Sequence, residues 1–175
     1  KAMQKFECRQ IIFSSSACVY GNGNQLCSEG DSTATLNPYG STKLFAEKMI
    51  EEFCVSRPGT RAISLRYFNV VGAHPSGEIG EDPQGIPTNL LPVIQEVVTG
   101  KREKLKIFGG DYGTRDGTAI RDYIHVMDIS KGHVLALESL GKSEEVYRVY
   151  NLGRGSGVSV KEMVTAYAQA VGREF

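Results

Sequence analysis

The alternation of apolar and polar positions divides the chain into a few elements before any chemistry is considered. Ile11-Ile12-Phe13 followed by Ser14-Ser15-Ser16 reads as a short buried strand whose carboxyl end carries small hydroxyl residues. A polar, glycine-containing stretch from Gly21 to Asn37 predicts a loop. Pro38-Tyr39 then opens a segment to Cys54 with apolar residues at Leu44, Phe45, Met49, Ile50 and Phe53, which is helical spacing. Arg57-Pro58-Gly59 stops that helix, and Arg61 to Tyr67 supplies a second strand. Residues 10 to 67 therefore predict one strand, helix, strand unit of parallel-sheet type.

From Asn69 to Asp122 the texture changes to Gly, Pro and Asp, with a helix predicted near Asn89 to Val98 and a short strand at Leu105 to Phe108, as in an insertion with its own small lobe. Met127 to Leu140 returns to helical periodicity, and Val146 to Leu152 is apolar and rich in strand formers. Ser159-Val160-Lys161-Glu162 is a capping box opening a last helix. Lys1 to Glu7 reads as the tail of a helix, and with no initiator Met the chain is expected to be a fragment.

Composition narrows the function classes. Lys plus Arg number 20 and Asp plus Glu number 20, with neither sign gathered into a block, so there is no electrostatic footprint for nucleic acid or a membrane surface. The longest apolar runs fall far short of the ~20 residues of a membrane span, and the default compartment is the cytosol. Cys8, Cys18, Cys27 and Cys54 form no C-x-x-C pair and the histidines show no ligand spacing, so buried thiols are expected and neither zinc nor a disulfide framework. Small-molecule chemistry is the class left.

The first candidate for that chemistry is Tyr39-x-x-x-Lys43 at the start of a helix that follows a strand ending in Ser16. Spacing i, i+4 puts both side chains on one helix face, where an ammonium favours a phenolate over its reference pKa of about 10. A tyrosine acting as a base near neutral pH needs that help. Ser16 ends its strand at the sheet edge where open α/β folds bind ligands, and its hydroxyl can reach the same substrate oxygen. On spacing alone, a surface Tyr and Lys with an ordinary strand-end serine is the competing reading.

Longer stretches carry a family resemblance. Phe13 to Gly21 (FSSSACVYG), Pro38 to Lys43 (PYGSTK) and Leu65 to Asn69 (LRYFN) resemble the extended short-chain dehydrogenase/reductases that act on nucleotide sugars. Gly72 to Gly77 (GAHPSG), Gly80 to Pro87 (GEDPQGIP) and Arg121 to Val126 (RDYIHV) are similar to the UDP-glucose 4-epimerase branch of that family. The resemblance implies an α/β fold, the later half of a doubly wound Rossmann-type parallel sheet with part of a smaller α/β substrate-binding lobe. Residues 1–70 and 126–155 would belong to the NAD-binding domain, 71–125 to the substrate lobe, and 156–175 to the start of its C-terminal segment. It further implies NAD as cofactor, a UDP-sugar as substrate and a homodimer paired through the Tyr-bearing helix and its neighbour.

By the same resemblance Tyr39 takes the C4 hydroxyl proton of a hexose while hydride passes to NAD, Lys43 holds the cofactor ribose and tunes the tyrosine, and Ser16 orients the hydroxyl. Phe68 touches the cofactor near its nicotinamide. The nucleotide is held by Asn69, the Asn89-Leu90 pair, Lys106-Ile107-Phe108 and Arg121, whose planar donors suit a diphosphate. Read without the family, Arg121 beside Asp122 is a surface ion pair, Phe108 a core residue and Phe68 strand-end packing. Related dehydratases and decarboxylases carry an acidic residue one or two positions after the residue matching Ser16, where Ala17 and Cys18 stand here. Cys18, where the family often has Thr, is expected to be a small buried residue.

A dinucleotide fold also needs a glycine-rich turn between strand and helix. Gly110-x-x-Gly113-x-x-x-Gly117 leads into a strand-like segment, and Gly153-x-Gly155-x-Gly157 is followed by a helix but no further strand, so both read as loop glycines. The turn is expected upstream, and the isolated chain is expected not to turn over UDP-galactose. Two alternatives stay open: a nucleotide-sugar epimerase for uronic acids or pentoses on the same scaffold, and a catalytically silent nucleotide-binding relative.

Overall fold

The computed structural model describes residues 2–21 and 26–174, so the expected helix tail, the loop over 21–37 and the last segment fall outside the described residues at 1, at 22–25 and at 175. In chain order the elements are α1 (Ala2–Lys5), β1 (Gln10–Ser16), a 3₁₀ turn (Ala17–Tyr20), α2 (Pro38–Val55), β2 (Arg61–Tyr67), β3 (Asn69–Val71), α3 (Leu90–Val98), β4 (Ile120–His125), α4 (Val126–Leu140), β5 (Tyr147–Leu152), β6 (Gly157–Ser159) and α5 (Val160–Val171). They form two units, Lys1–Phe68 with Asp128–Gly153, and Asn69–Met127 with Arg154–Phe175.

The first unit is a parallel sheet in the order β1-β2-β5, with Ser16 opposite Tyr67 and Tyr67 opposite Leu152. Parallel strands need long crossovers, which the helices supply. Period-two alternation sorts β2 into two different faces. Ile63 and Leu65 pack with Ala136 and Leu140 of α4, flanked by Ile12, Tyr67 and Leu152, and make the apolar core. Ser64 and Arg66, also buried, lie on the other face, where Arg66 meets α2.

Helix α2 starts where Asn37 accepts from the Gly40 N–H at 2.7 Å, with Pro38 in the first turn. Its first turn lies so close to the 3₁₀ turn that a Cβ on Gly40 would sit 2.8 Å from the Cys18 carbonyl oxygen. The buried residues of α2 are Gly40, Glu47 and Cys54, while Phe45 and Met49 are 66% and 59% exposed. Phe45 and Met49 thus point away from the sheet, while Leu44, Ile50 and Phe53 are half-buried.

In the second unit β4 pairs with β3 in parallel and with β6 antiparallel. The expected strand at Leu105 to Phe108 does not form: these residues are irregular, and Phe108 is 84% exposed. A run of alternating apolar residues is a strand only where another strand takes its backbone groups. β3 and β6, three residues each, carry no periodicity of their own and exist through their pairing with β4.

α5 opens on the expected capping box, the Ser159 hydroxyl accepting from the Glu162 N–H at 3.1 Å and the Glu162 carboxylate from the Ser159 N–H at 2.8 Å. Asp116 clamps the preceding loop to this cap by accepting from the hydroxyls of Ser159 and Thr118, and Arg115 pairs with Glu162. Hydrogen bonds from Ser159 and Thr118 lower the Asp116 pKa from 3.8 to about 2, and the Arg115 bond lowers that of Glu162 from 4.5 to about 2. Both folded values are depressed, so the clamp stabilises fully above about 4.5 and is lost as pH falls towards about 2. Amide hydrogen exchange in α5 and in 114–118 is expected to accelerate across that window before exchange in β1, β2 and β5. Simultaneous loss of protection in both units would contradict this, and Asp116→Asn is expected to flatten the response.

Candidate active site

The carboxyl end of β1 and the first turns of α2 form one neighbourhood in the first unit. Lys43 is the link: its Nζ donates to the Ser14 carbonyl at 2.8 Å, and lies 5.5 Å from the Tyr39 ring centroid and 5.2 Å from that of Phe13. Two residues on, Ser16 caps the 3₁₀ turn by accepting from the Cys18 N–H at 3.2 Å, which leaves its own hydroxyl proton to be donated elsewhere. The Cys18 carbonyl faces Gly40, the residue after Tyr39. Ser16, Tyr39 and Lys43 are thus joined through two short backbone contacts between β1, the turn and α2.

The environments of the tyrosines differ in a way that bears on chemistry. Burial pushes the Tyr147 phenol up to about 12 even though it hydrogen-bonds Ser64 at 2.8 Å, and burial also raises Tyr123. A phenol that resists ionisation is a poor base. Tyr39 is 53% exposed beside an ammonium, where a ligand can reach it. Phe68, just past the end of β2, is half-buried.

Sequence reasoning missed two polar groups here. On the apolar-core side, His133 accepts a hydrogen bond from the Ser14 hydroxyl at 3.0 Å through Nε2, the tautomer being set by its Nδ1–H donating to the Ile129 carbonyl at 2.9 Å. On the other side, Arg66 forks onto Glu47, with Nη2 to Oε2 at 2.6 Å and Nε to Oε1 at 3.0 Å. Burial works against the charge on Arg66, but hydrogen bonds to Glu47 and Tyr20 outweigh it and raise its pKa. A signal existed for the second group only: a charged residue inside β2, and a carboxylate one turn beyond Lys43.

The second unit carries the remaining residues singled out in the sequence. Asn69 opens β3 and is exposed. Asn89 is the residue before α3, where its amide donates to Glu81 at 2.9 Å rather than capping the helix, and Leu90 is half-buried. Lys106, Ile107 and Phe108 lie on the irregular segment, and the exposure of Phe108 removes the reading of it as a core residue. Arg121 does not pair with Asp122: its guanidinium donates to the Ile120 carbonyl, while Asp122 accepts from the backbone N–H groups of Arg154 and Gly155.

The description of the NAD dependent epimerase/dehydratase family matches residues 1–153. The chain belongs to that family. It is 52% identical over 175 residues to UDP-glucose 4-epimerase 3 of Oryza sativa subsp. japonica, covering 99% of this chain and 47% of the rice protein. It is 50% identical to the Bifunctional UDP-glucose 4-epimerase and UDP-xylose 4-epimerase 1 of Pisum sativum, covering 99% of this chain and 50% of the pea protein. Among solved structures, the UDP-glucose 4-epimerase from Bifidobacterium longum in complex with NAD+ and UDP superposes with a TM-score of 0.92 at 46% identity, over 98% of this chain and 51% of that one. The enzyme from Stenotrophomonas maltophila, with bound NAD and formylated UDP-arabinopyranose, gives 0.94 at 43%, over 99% and 52%. The chain spans about half the length of the curated relatives it matches. Its mixed α/β fold with a parallel sheet is the Rossmann-type fold of these epimerases.

The expectation of buried thiols is corrected by the structure. Cys8 and Cys18 are exposed, Cys27 is half-buried and Cys54 alone is buried. Cys18 follows directly on the first residue of the 3₁₀ turn, whose inward positions are taken by Val19 and Tyr20. Burial also raises the Cys54 thiol pKa, so it is doubly protected. A maleimide at neutral pH is expected to label Cys8 and Cys18 rapidly and Cys54 only after denaturation. Labelling of Cys54 at the rate of Cys18 would contradict the packing of α2.

Proposed function

We propose that this family member is part of a UDP-glucose 4-epimerase, and that Ser16, Tyr39 and Lys43 supply its acid/base chemistry. The observation that carries the reading is the Lys43 ammonium, held on the Ser14 carbonyl and set beside an exposed Tyr39 ring. Tyr39 takes the proton from the sugar 4-hydroxyl and later returns it, and Ser16 donates a hydrogen bond to the same oxygen. Lys43 keeps two ammonium protons beyond the Ser14 bond, which suits the hydroxyls of a cofactor ribose.

That donor set fits the ribose side of NAD. No described glycine cluster joins a strand directly to a helix, since Gly117 leads towards β4 and Gly157 opens β6. NAD, when bound, supplies the hydride acceptor and donor at C4. Phe68 lines its nicotinamide side, while Asn69, Asn89, Leu90, Lys106, Ile107, Phe108 and Arg121 take the nucleotide of the substrate. For inversion the flat 4-keto sugar has to turn with its nucleotide held, so binding energy belongs on UDP. The 3₁₀ turn offers only Ala17, Cys18, Val19 and Tyr20, with no carboxylate to serve water elimination. The exposed Phe45 and Met49 of α2 are the surface through which we propose a homodimer.

In the full-length protein carrying these residues, Tyr39→Phe is expected to lower kcat for UDP-galactose by about a thousandfold, within the range of general acid–base groups, with KM little changed. Unchanged turnover would reject the assignment of Tyr39, and a wild type without turnover would favour a silent relative. The pea relative's name, which includes UDP-xylose, favours a pentose as second substrate, and the wild-type protein assayed on both sugars decides between one activity and two.

A further inference from the structure

Glu47 and Arg66 are 3% and 6% exposed, and the chemistry above uses neither. Charges so buried are tolerated only when paired and fully hydrogen-bonded, and replacing such a pair by apolar residues is often no loss of stability. Stability alone is therefore a weak reason for this pair. Its geometry suggests another. The Ser15 hydroxyl of β1 donates to Glu47 Oε1 at 2.5 Å, Arg66 of β2 forks onto both carboxylate oxygens, and Arg66 Nη1 donates at 2.9 Å to Tyr20 of the 3₁₀ turn. The Tyr20 hydroxyl in turn donates to Asn151 of β5 at 2.7 Å. Three strands, the turn and α2 are tied at one point.

Glu47 lies one turn beyond Lys43 and two beyond Tyr39, on the same face of α2. No large apolar side chain of α2 is fully buried against the sheet, since its buried residues are Gly40, Glu47 and Cys54. Half-buried Leu44, Ile50 and Phe53 define only loosely how far the helix slides along its axis, whereas a carboxylate with three donors at fixed directions defines it closely. We propose that Glu47 and Arg66 are positioning residues, which lock α2 against β1 so that the Lys43 ammonium stays on the Ser14 carbonyl and beside the Tyr39 ring. This rests on the reading of Tyr39 and Lys43 as the acid/base pair.

The test uses the full-length protein in four forms: wild type, Ser15→Ala, Arg66→Lys, and the paired Glu47→Leu/Arg66→Met, in which no lone charge is left buried. Melting temperature, kcat, KM for UDP-galactose and a crystal structure are measured for each. The paired variant is expected to melt near the wild type, yet to lose about a hundredfold in kcat, as a displaced catalytic group does, with KM within about twofold. Its crystal structure is expected to show Lys43 Nζ beyond hydrogen-bond reach of the Ser14 carbonyl. Arg66→Lys, which keeps the charge but loses the fork, and Ser15→Ala, which cuts only the link to β1, are expected to fold and to lose kcat in part. Either of them gives the answer if the paired variant does not fold. A folded variant with wild-type kcat, or one with Lys43 still on Ser14, overturns the proposal. If the wild type turns over no UDP-sugar, the reading of function fails, while the crystallographic arm still decides whether Glu47 and Arg66 place Lys43.

Discussion

A buried ion pair is a directional constraint in a way that apolar contact is not. The Glu47 carboxylate and the Arg66 guanidinium meet at 2.6 Å, with each side chain under a tenth exposed. Breaking such a pair leaves a lone charge out of water, at a cost of about 3–5 kcal/mol. A slip of α2 by one turn, about 5.4 Å, would break it and also take Glu47 away from the Ser15 hydroxyl. The helix therefore has one seat on the sheet. Gly40 sharpens the same requirement at the other end, because the first turn can press against the Cys18 carbonyl only without a Cβ.

The consequence is a sheet with two unlike faces. Towards α4, Ile63 and Leu65 bury against Ala136 and Leu140, which stabilises but does not specify chemistry. Towards α2, Ser15, Ser64, Arg66 and Glu47 are buried polar groups, and each has a partner. Ser14 reaches across this division. Its hydroxyl belongs to His133 and its carbonyl to Lys43, so the peptide that holds the ammonium is itself held from the apolar side. The carboxyl end of β1 is held from both faces.

This arrangement explains what could be read from the sequence. The strand at 10–16, the helix from Pro38, the strand at 61–67, the helix to Leu140 and the capped last helix were legible because each carries its own period, cap or stop. The expected strand at 105–108 failed because its apolar residues have no strand to pair with, and β3 and β6 went unseen because pairing with β4 is all that makes them strands. Apolar residues at helical spacing identified α2 as a helix without dividing its faces, and in the structure Phe45 and Met49 face outward while a carboxylate faces the sheet. Tyr39, Lys43 and Ser16 could be singled out as candidates from spacing and resemblance. Their supports could not, since Ser14 and His133 are 119 positions apart and nothing local to either announces the other.

An epimerase of the proposed kind makes opposite demands on its two groups of residues. Proton transfer tolerates little displacement, because a misplacement of about 1 Å can cost a hundredfold. In the proposed reading the Ser16, Tyr39 and Lys43 neighbourhood would meet that demand through its backbone contacts and the buried network beside it. A ligand-binding group must instead meet its partner from outside, and Asn69, Lys106, Phe108 and Arg121 are exposed. The hexose must turn between the two hydride transfers, so tight complementarity to the sugar would trap one epimer. On the proposed reading, locking the acid/base groups to one another rather than to the hexose would keep the reacting geometry while leaving the sugar free to present either face.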